Sequence, residues 1–159
     1  MTELSFIDAL NEIVEDAEAV STKMSVEDKA KITKVEAKVF KEALANTVKR
    51  NHYRDRETGI DPHLADTILM QNKNVDGFKN GKSTIGWSKD KAYIANFIEN
   101  GTKFPMYSRK GRQYKQGGQI AVRADHFVRK LRDDPALHAQ MVRAGAEEYR
   151  KIIKKRGGD

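Results

Sequence analysis

The sequence predicts an α+β protein, with a small antiparallel sheet packed against a long helix in the N-terminal half and a C-terminal helix. Two long stretches, one towards each end, repeat apolar residues at steps of three and four, which is typical of amphipathic helices. Between them, short apolar runs flank an Asn-Gly pair, and such pairs favour the tight turn of a β-hairpin. A length of 159 residues fits one domain.

The N-terminal quarter predicts two helices. The first covers residues 5–20, where Phe6, Leu10 and Ile13 share one face. Residues 1–20 contain six acids and no base. Ser25 is a cap residue for a second helix from about Val26 to Arg50. We therefore divide the chain into an acidic N-terminal helix over residues 1–22 and a single α+β domain over residues 23–159.

The middle of the chain predicts a loop and then a hairpin. Residues 51–63 are polar and contain Gly59 and Pro62, so they are typical of a loop. Residues 64–70 fit either a strand or a short helix, because short apolar runs are ambiguous. Asn80-Gly81 separates residues 75–79 from residues 82–87, and we expect these two runs to be antiparallel strands.

The remaining segments predict short elements and a final helix. The apolar pattern from Tyr93 to Ile98 predicts a helix that ends at Gly101. Residues 103–119 are basic and glycine-rich, which predicts a long flexible loop. After it we expect a short strand at residues 120–122, one or two helical turns near residues 127–131, and a helix begun by Asp134-Pro135. Its predicted apolar face consists of Leu137, Met141, Val142, Gly145, Tyr149, Ile152 and Ile153.

Composition excludes several classes of protein. The chain has no cysteine, so it has neither disulfides nor thiolate chemistry. No run approaches the roughly 18 apolar residues of a membrane span, and residues 1–4 lack the basic start of a secretory signal. We expect a protein without a membrane partner that is made and used without export. The net charge of +7 is uneven, because residues 101–159 hold 15 bases against 6 acids.

Motifs for catalysis, cofactors and metals are missing from the sequence. The four histidines show no recognised metal spacing. There is no Gly-x-Ser-x-Gly nucleophile motif and no Gly-x-x-x-x-Gly-Lys-Ser/Thr phosphate loop. We therefore predict a protein that is not an enzyme and that has no catalytic residues, cofactor or metal site.

The basic loop is the candidate interaction site. The lysine and arginine side chains of residues 103–119 can contact phosphates, and tyrosine can stack on bases. A flexible loop can also be basic merely for solubility, so composition leaves its role open. The candidate interface or DNA-channel residues are Arg109, Lys110, Arg112, Tyr114 and Lys115.

Residues 92–102 resemble a motif of small phage neck proteins, also described as head–tail connector or tail-completion proteins. In that family the motif reads Tyr-Ala-x-aromatic/aliphatic-Val/Ile-Glu-x-Gly-Thr. Residues 124–129 are similar to the family's later Pro-Phe-aliphatic-Arg segment, with His126 in place of the proline. Upstream, residues 59–68 and residues 85–87 also resemble family elements, in the same order. The matching positions are Tyr93, Glu99, Gly101, Thr102 and Phe127.

This resemblance implies a structural virion protein. It implies a homo-oligomeric ring of six or twelve copies that joins the DNA-filled head to the tail, with connector and tail proteins and the passing DNA as partners. The protein would lie in the host cytoplasm before assembly and in the virion afterwards. The alternative is a sequence-independent nucleic-acid-binding protein. We expect Trp87, Tyr93 and Phe97 in the core, although tryptophan and tyrosine are also common interface anchors. For Glu99 we expect a basic or amide partner, either within the monomer or across a subunit interface.

Overall fold

A computed structural model describes residues 24–53, 62–102 and 122–155 of the chain. Its elements, in chain order, are helix α1 (Val26–His52), a 3-10 turn (Leu64–Thr67), strand β1 (Ile68–Gln71), strand β2 (Thr84–Trp87), helix α2 (Lys89–Asn100), helix α3 (Phe127–Arg132) and helix α4 (Pro135–Lys155). The α+β prediction is confirmed. The predicted helix over residues 5–20 and the proposed acidic segment 1–22 lie outside the described residues.

Helix α1 organises the fold. Ser25 caps its start, because the Ser25 hydroxyl accepts the backbone N–H of Asp28 at 3.2 Å. Helix α4 packs along α1, and the two-stranded sheet and the 3-10 turn lie against α1 as well. The predicted bounds of this helix were correct to within two residues, since capping and periodicity are local signals. None of the described helices is both long and apolar enough to cross a membrane.

The core gathers where α1, the sheet and α3 meet. Its buried members are Leu44, Val48, Ala65, Ile68 and Phe127. The ring of Trp87 packs edge-on against Phe127 with ring centroids 5.9 Å apart, and its indole N–H donates to the Leu64 carbonyl at 3.2 Å. The prediction of Trp87 as a core residue is therefore confirmed for a half-buried ring whose polar atom is bonded.

The hairpin prediction was wrong in its first strand. Strand β2 pairs antiparallel with Ile68–Gln71, in a register that sets Ile68 opposite Trp87, and residues 75–79 form an exposed turn instead. The ambiguous run 64–70 contains both a 3-10 turn and most of β1. Gly81 has φ +82° and lies against the first turn of α1. The Asn-Gly pair therefore serves a close contact with α1 rather than a two-residue hairpin turn.

The C-terminal predictions were mostly correct. Asp134 caps α4, because its carboxylate accepts the backbone N–H of Ala136 at 2.9 Å, and α3 provides the expected short helix. On α4 the side chains of Leu137 and Ile152 are buried, but Val142 is 66% exposed, so its place on the packed face was wrong. Val122 lies in no strand, and Ile120 is outside the described residues.

Candidate interaction surfaces

The end of α2 and the start of α3 are joined by the side chain of Glu99. Its carboxylate accepts two backbone N–H groups, from Val128 at 2.8 Å and from Arg129 at 3.1 Å. These amides belong to the first turn of α3, which has no partner for them within the helix. A carboxylate at that position also suits the positive end of the helix dipole. The partner of Glu99 is thus a pair of backbone amides within the monomer.

Gly101 allows the chain to turn sharply at this junction. It follows the last residue of α2 with φ +74°, a conformation that costs little only for glycine. A Cβ atom at Gly101 would lie 2.8 Å from the Val122 carbonyl oxygen and 2.9 Å from the Ala124 nitrogen. Two requirements, backbone conformation and close approach, therefore demand glycine at this position.

Thr102 pairs with Val122, and so brings together the two ends of the basic segment. Its backbone N–H donates to the Val122 carbonyl at 2.9 Å, and its hydroxyl accepts the Val122 N–H at 2.8 Å. The chain that carries the candidate residues leaves and returns at this paired base. Those residues, Arg109, Lys110, Arg112, Tyr114 and Lys115, lie outside the described residues, as does the whole of 103–119.

A cluster of side-chain hydrogen bonds around Asp125 fixes the returning segment of chain to α1. His52 Nε2 lies 2.8 Å from Asp125 Oδ2, and Lys130 Nζ lies 2.7 Å from Asp125 Oδ1. The hydrogen bond from Lys130, followed by that from His52, lowers the pKa of the Asp125 carboxyl, against an opposing effect of burial. The His52 ring also packs on Phe127, with centroids 5.3 Å apart. No local sequence pattern indicates this cluster, because His52 and Asp125 are 73 residues apart.

His126 takes a backbone conformation that proline cannot adopt. Its φ is +53°, whereas a proline ring fixes φ near −65°. Its backbone N–H also donates to the Glu99 carbonyl at 3.1 Å, and proline has no such donor. The departure from the neck-protein pattern at this position is therefore built into the local geometry.

Helix α2 exposes an aromatic pair. Tyr93 is 56% and Phe97 is 41% exposed, and their rings pack edge to face with centroids 5.8 Å apart. The prediction that these two residues lie in the core was wrong, because Lys91, Ala95 and the half-buried Ile94 and Ile98 form the inward side of α2. Residues 92–98 contain no charged residue in a chain that is 33% charged. Exposed aromatic side chains are typical of protein interfaces.

The described residues show no metal centre. No group of three or more His, Cys, Asp or Glu side chains in residues 24–53, 62–102 and 122–155 could hold a metal ion. Of the positions that resemble the neck-protein motif, Glu99, Gly101, Thr102 and Phe127 converge on one junction, while Tyr93 lies on the outer face of α2.

Comparisons with known proteins found no relative: no family model, no curated protein and no solved structure matches the chain.

Proposed function

We propose that this protein is a non-catalytic component of the head–tail junction of a tailed bacteriophage, where copies form a ring that joins the DNA-filled head to the tail. The observation that carries the proposal is the convergence of Glu99, Gly101, Thr102 and Phe127. These positions, which match the neck-protein motif, build one junction at the base of the basic segment. The motif thereby acquires a structural role that requires no catalysis.

In this proposal the face of α2 with Tyr93 and Phe97 contacts a neighbouring subunit or connector protein. Each copy carries a net charge of +7, so contact between copies is favoured where like charges do not face one another. Residues 92–98 contain no charge, and they give α2 a surface of this kind around Phe97. The basic residues 103–119 would then lie against another ring or against the DNA in the channel.

The proposal is tested by adding purified protein to separated phage heads and tails. We expect the protein to bind to the particles and to restore infectious joined virions. A plaque count measures the number of these virions. Replacement of Tyr93 and Phe97 by serine is expected to abolish joining. Val142→Ser is the matched control, because Val142 is also exposed but lies on α4. Intact joining by the Tyr93/Phe97 double variant would remove α2 as the interface.

The second candidate function is sequence-independent nucleic-acid binding, which the charge of the chain favours. Residues 103–132 hold nine bases and one acid, and cations of this density bind phosphates in a salt-dependent manner. Replacement of Arg109, Lys110, Arg112 and Lys115 by alanine separates the two functions. Loss of joining with unchanged DNA affinity supports the junction role. Protein that ignores heads and tails but binds bare DNA with a steep salt dependence overturns it.

A further inference from the structure

The connection between β1 and β2 contains a hydrogen-bonded turn at residues 74–78. Asn74 holds it from three sides, because its backbone N–H donates to the Phe78 carbonyl at 3.0 Å, its carbonyl accepts the Gly77 N–H at 3.0 Å, and its side-chain oxygen accepts the Phe78 N–H at 2.7 Å. Backbone groups that would otherwise need water or a strand are thus satisfied locally. The turn is preorganised, although it lies outside the core.

This turn presents apolar side chains to solvent. Val75 is 88% and Phe78 is 70% exposed, more than any other large apolar side chain among the described residues. Asp76 lies between them and accepts a hydrogen bond from the Asn74 amide at 3.2 Å. Val75, Asp76 and Phe78 thus form a projection with two apolar side chains and one acid. Burial of its apolar surface in a complementary recess releases free energy, and the preformed turn reduces the entropy lost on binding.

A recess of about 660 Å³ lies directly beside the turn, between α1, α4 and the β1–β2 connection. Ala37, Phe40 and Met141 contribute apolar surface to it. Lys82 and Arg132 contribute positive charge, and neither side chain forms an ion pair with any residue in the described part of the chain. The recess therefore offers the apolar surface and the positive charge that the projection requires.

The recess also holds groups that oppose or modulate this charge. Glu36 lines it, and burial raises the pKa of the Glu36 carboxyl. His138 lines it from the first turn of α4, and Asp76 lies at its edge. The turn does not fill the recess of its own molecule, since Val75 is almost fully exposed while it borders that recess.

We infer that this face pairs two copies of the chain around a two-fold axis, with the turn of each copy seated in the recess of the other. A projection that adjoins a matching recess is complementary to itself under a two-fold rotation, and contacts of this kind close after two copies. Val75 and Phe78 meet the apolar surface of the recess, and Asp76 meets Arg132 of the partner subunit. This pairing concerns the free protein and does not depend on the proposed function, which uses α2.

The pairing is tested by sedimentation velocity of the full chain across a range of concentrations. The expected result is a concentration-dependent doubling of the 18.0 kDa mass. Phe78→Ser is expected to raise the dimer dissociation constant about tenfold or more, as loss of a central aromatic contact does. Leu69→Ser is the matched control, because Leu69 is also exposed but lies on β1 outside the recess, and it should leave that constant unchanged. Circular dichroism checks that both variants are folded.

A charge exchange tests the geometry of the contact. Asp76→Arg and Arg132→Asp are each expected to weaken pairing about tenfold, because each sets like charges opposite each other. The double variant restores the opposite charges and should recover affinity to within a few-fold of the parent. A monomer at all concentrations, a dimer indifferent to Phe78→Ser, masses that continue beyond the dimer in the Phe97→Ser variant, or a double variant weaker than both single variants would each overturn the inference.

Discussion

The carboxylate of Glu99 accepts the backbone N–H of Val128 at 2.8 Å, and through this bond the end of α2 caps the start of α3. The two residues are 29 positions apart in the chain, and the segment with the candidate basic residues lies between them. The bond therefore holds together the two stretches of chain on either side of that segment.

Glu99→Ala is expected to lower the free energy of unfolding by about 1–2 kcal/mol, because two N–H groups of α3 lose their acceptor. Glu99→Gln keeps one acceptor and should fall between the parent and the alanine variant. Urea denaturation measures all three. Glu147→Ala serves as the control, since Glu147 is exposed on α4, and it should change stability by less than about 0.5 kcal/mol. Equal effects at the two positions would refute the capping role.

Three glycine-to-alanine changes separate backbone conformation from close approach. Gly86→Ala meets open space without a positive φ, and is expected to be neutral or slightly stabilising. Gly77→Ala meets open space at φ +87°, so it should cost about 1–2 kcal/mol from conformation alone. Gly101→Ala adds a clash with the backbone of residues 122–124 and should cost the most. Thermal or urea unfolding gives the order, and a Gly101→Ala variant that costs no more than Gly77→Ala would contradict the tight backbone contact between Gly101 and residues 122–124.

His126 offers a test of the departure from the neck-protein pattern. His126→Pro is expected to cost about 3 kcal/mol or more, because proline can neither take φ +53° nor donate to the Glu99 carbonyl. His126→Gly tolerates the same conformation and should remain within about 1 kcal/mol of the parent. Denaturant unfolding compares the two variants. A proline variant as stable as the parent would show that residues 122–127 can take another path.

The loss of stability at acid pH is expected to depend on Asp125. Its folded-state pKa lies below the ordinary value of 3.8, so the stabilisation is present in full above pH 3.8 and is lost as the pH falls through the folded-state value. Asp125→Asn should lower the free energy of unfolding by about 0.5–1 kcal/mol at neutral pH, since the partners are partly exposed. Below the folded-state pKa the difference between variant and parent should shrink.

Urea unfolding between about pH 2 and pH 7 measures that difference. Glu147→Gln is the control, and its difference from the parent should stay constant with pH. A constant difference for Asp125→Asn as well would show that the carboxylate contributes through packing rather than through its charge.

Local chemistry was sufficient to predict the three longest helices among the described residues. The cap at Ser25, the glycine after Asn100 and the Asp134-Pro135 pair each act on neighbouring backbone groups. For that reason the ends of α1, α2 and α4 marked by these residues could be predicted to within one or two residues. A local signal was also the reason that the first strand was predicted wrongly. Asn80-Gly81 favours a tight hairpin turn on its own, but in the fold it forms part of the longer connection between β1 and β2.

The fold class, these helix ends and the separation of acidic and basic segments follow from the amino-acid sequence alone. The meeting of His52 with Asp125, the cap that Glu99 provides for α3 and the outward position of Phe97 arise only when the elements pack together. Periodicity could not orient α2, because both of its sides carry apolar residues and packing against the core selects one of them. Contacts across dozens of residues depend on how the helices and the sheet pack together, and no local pattern encodes that arrangement.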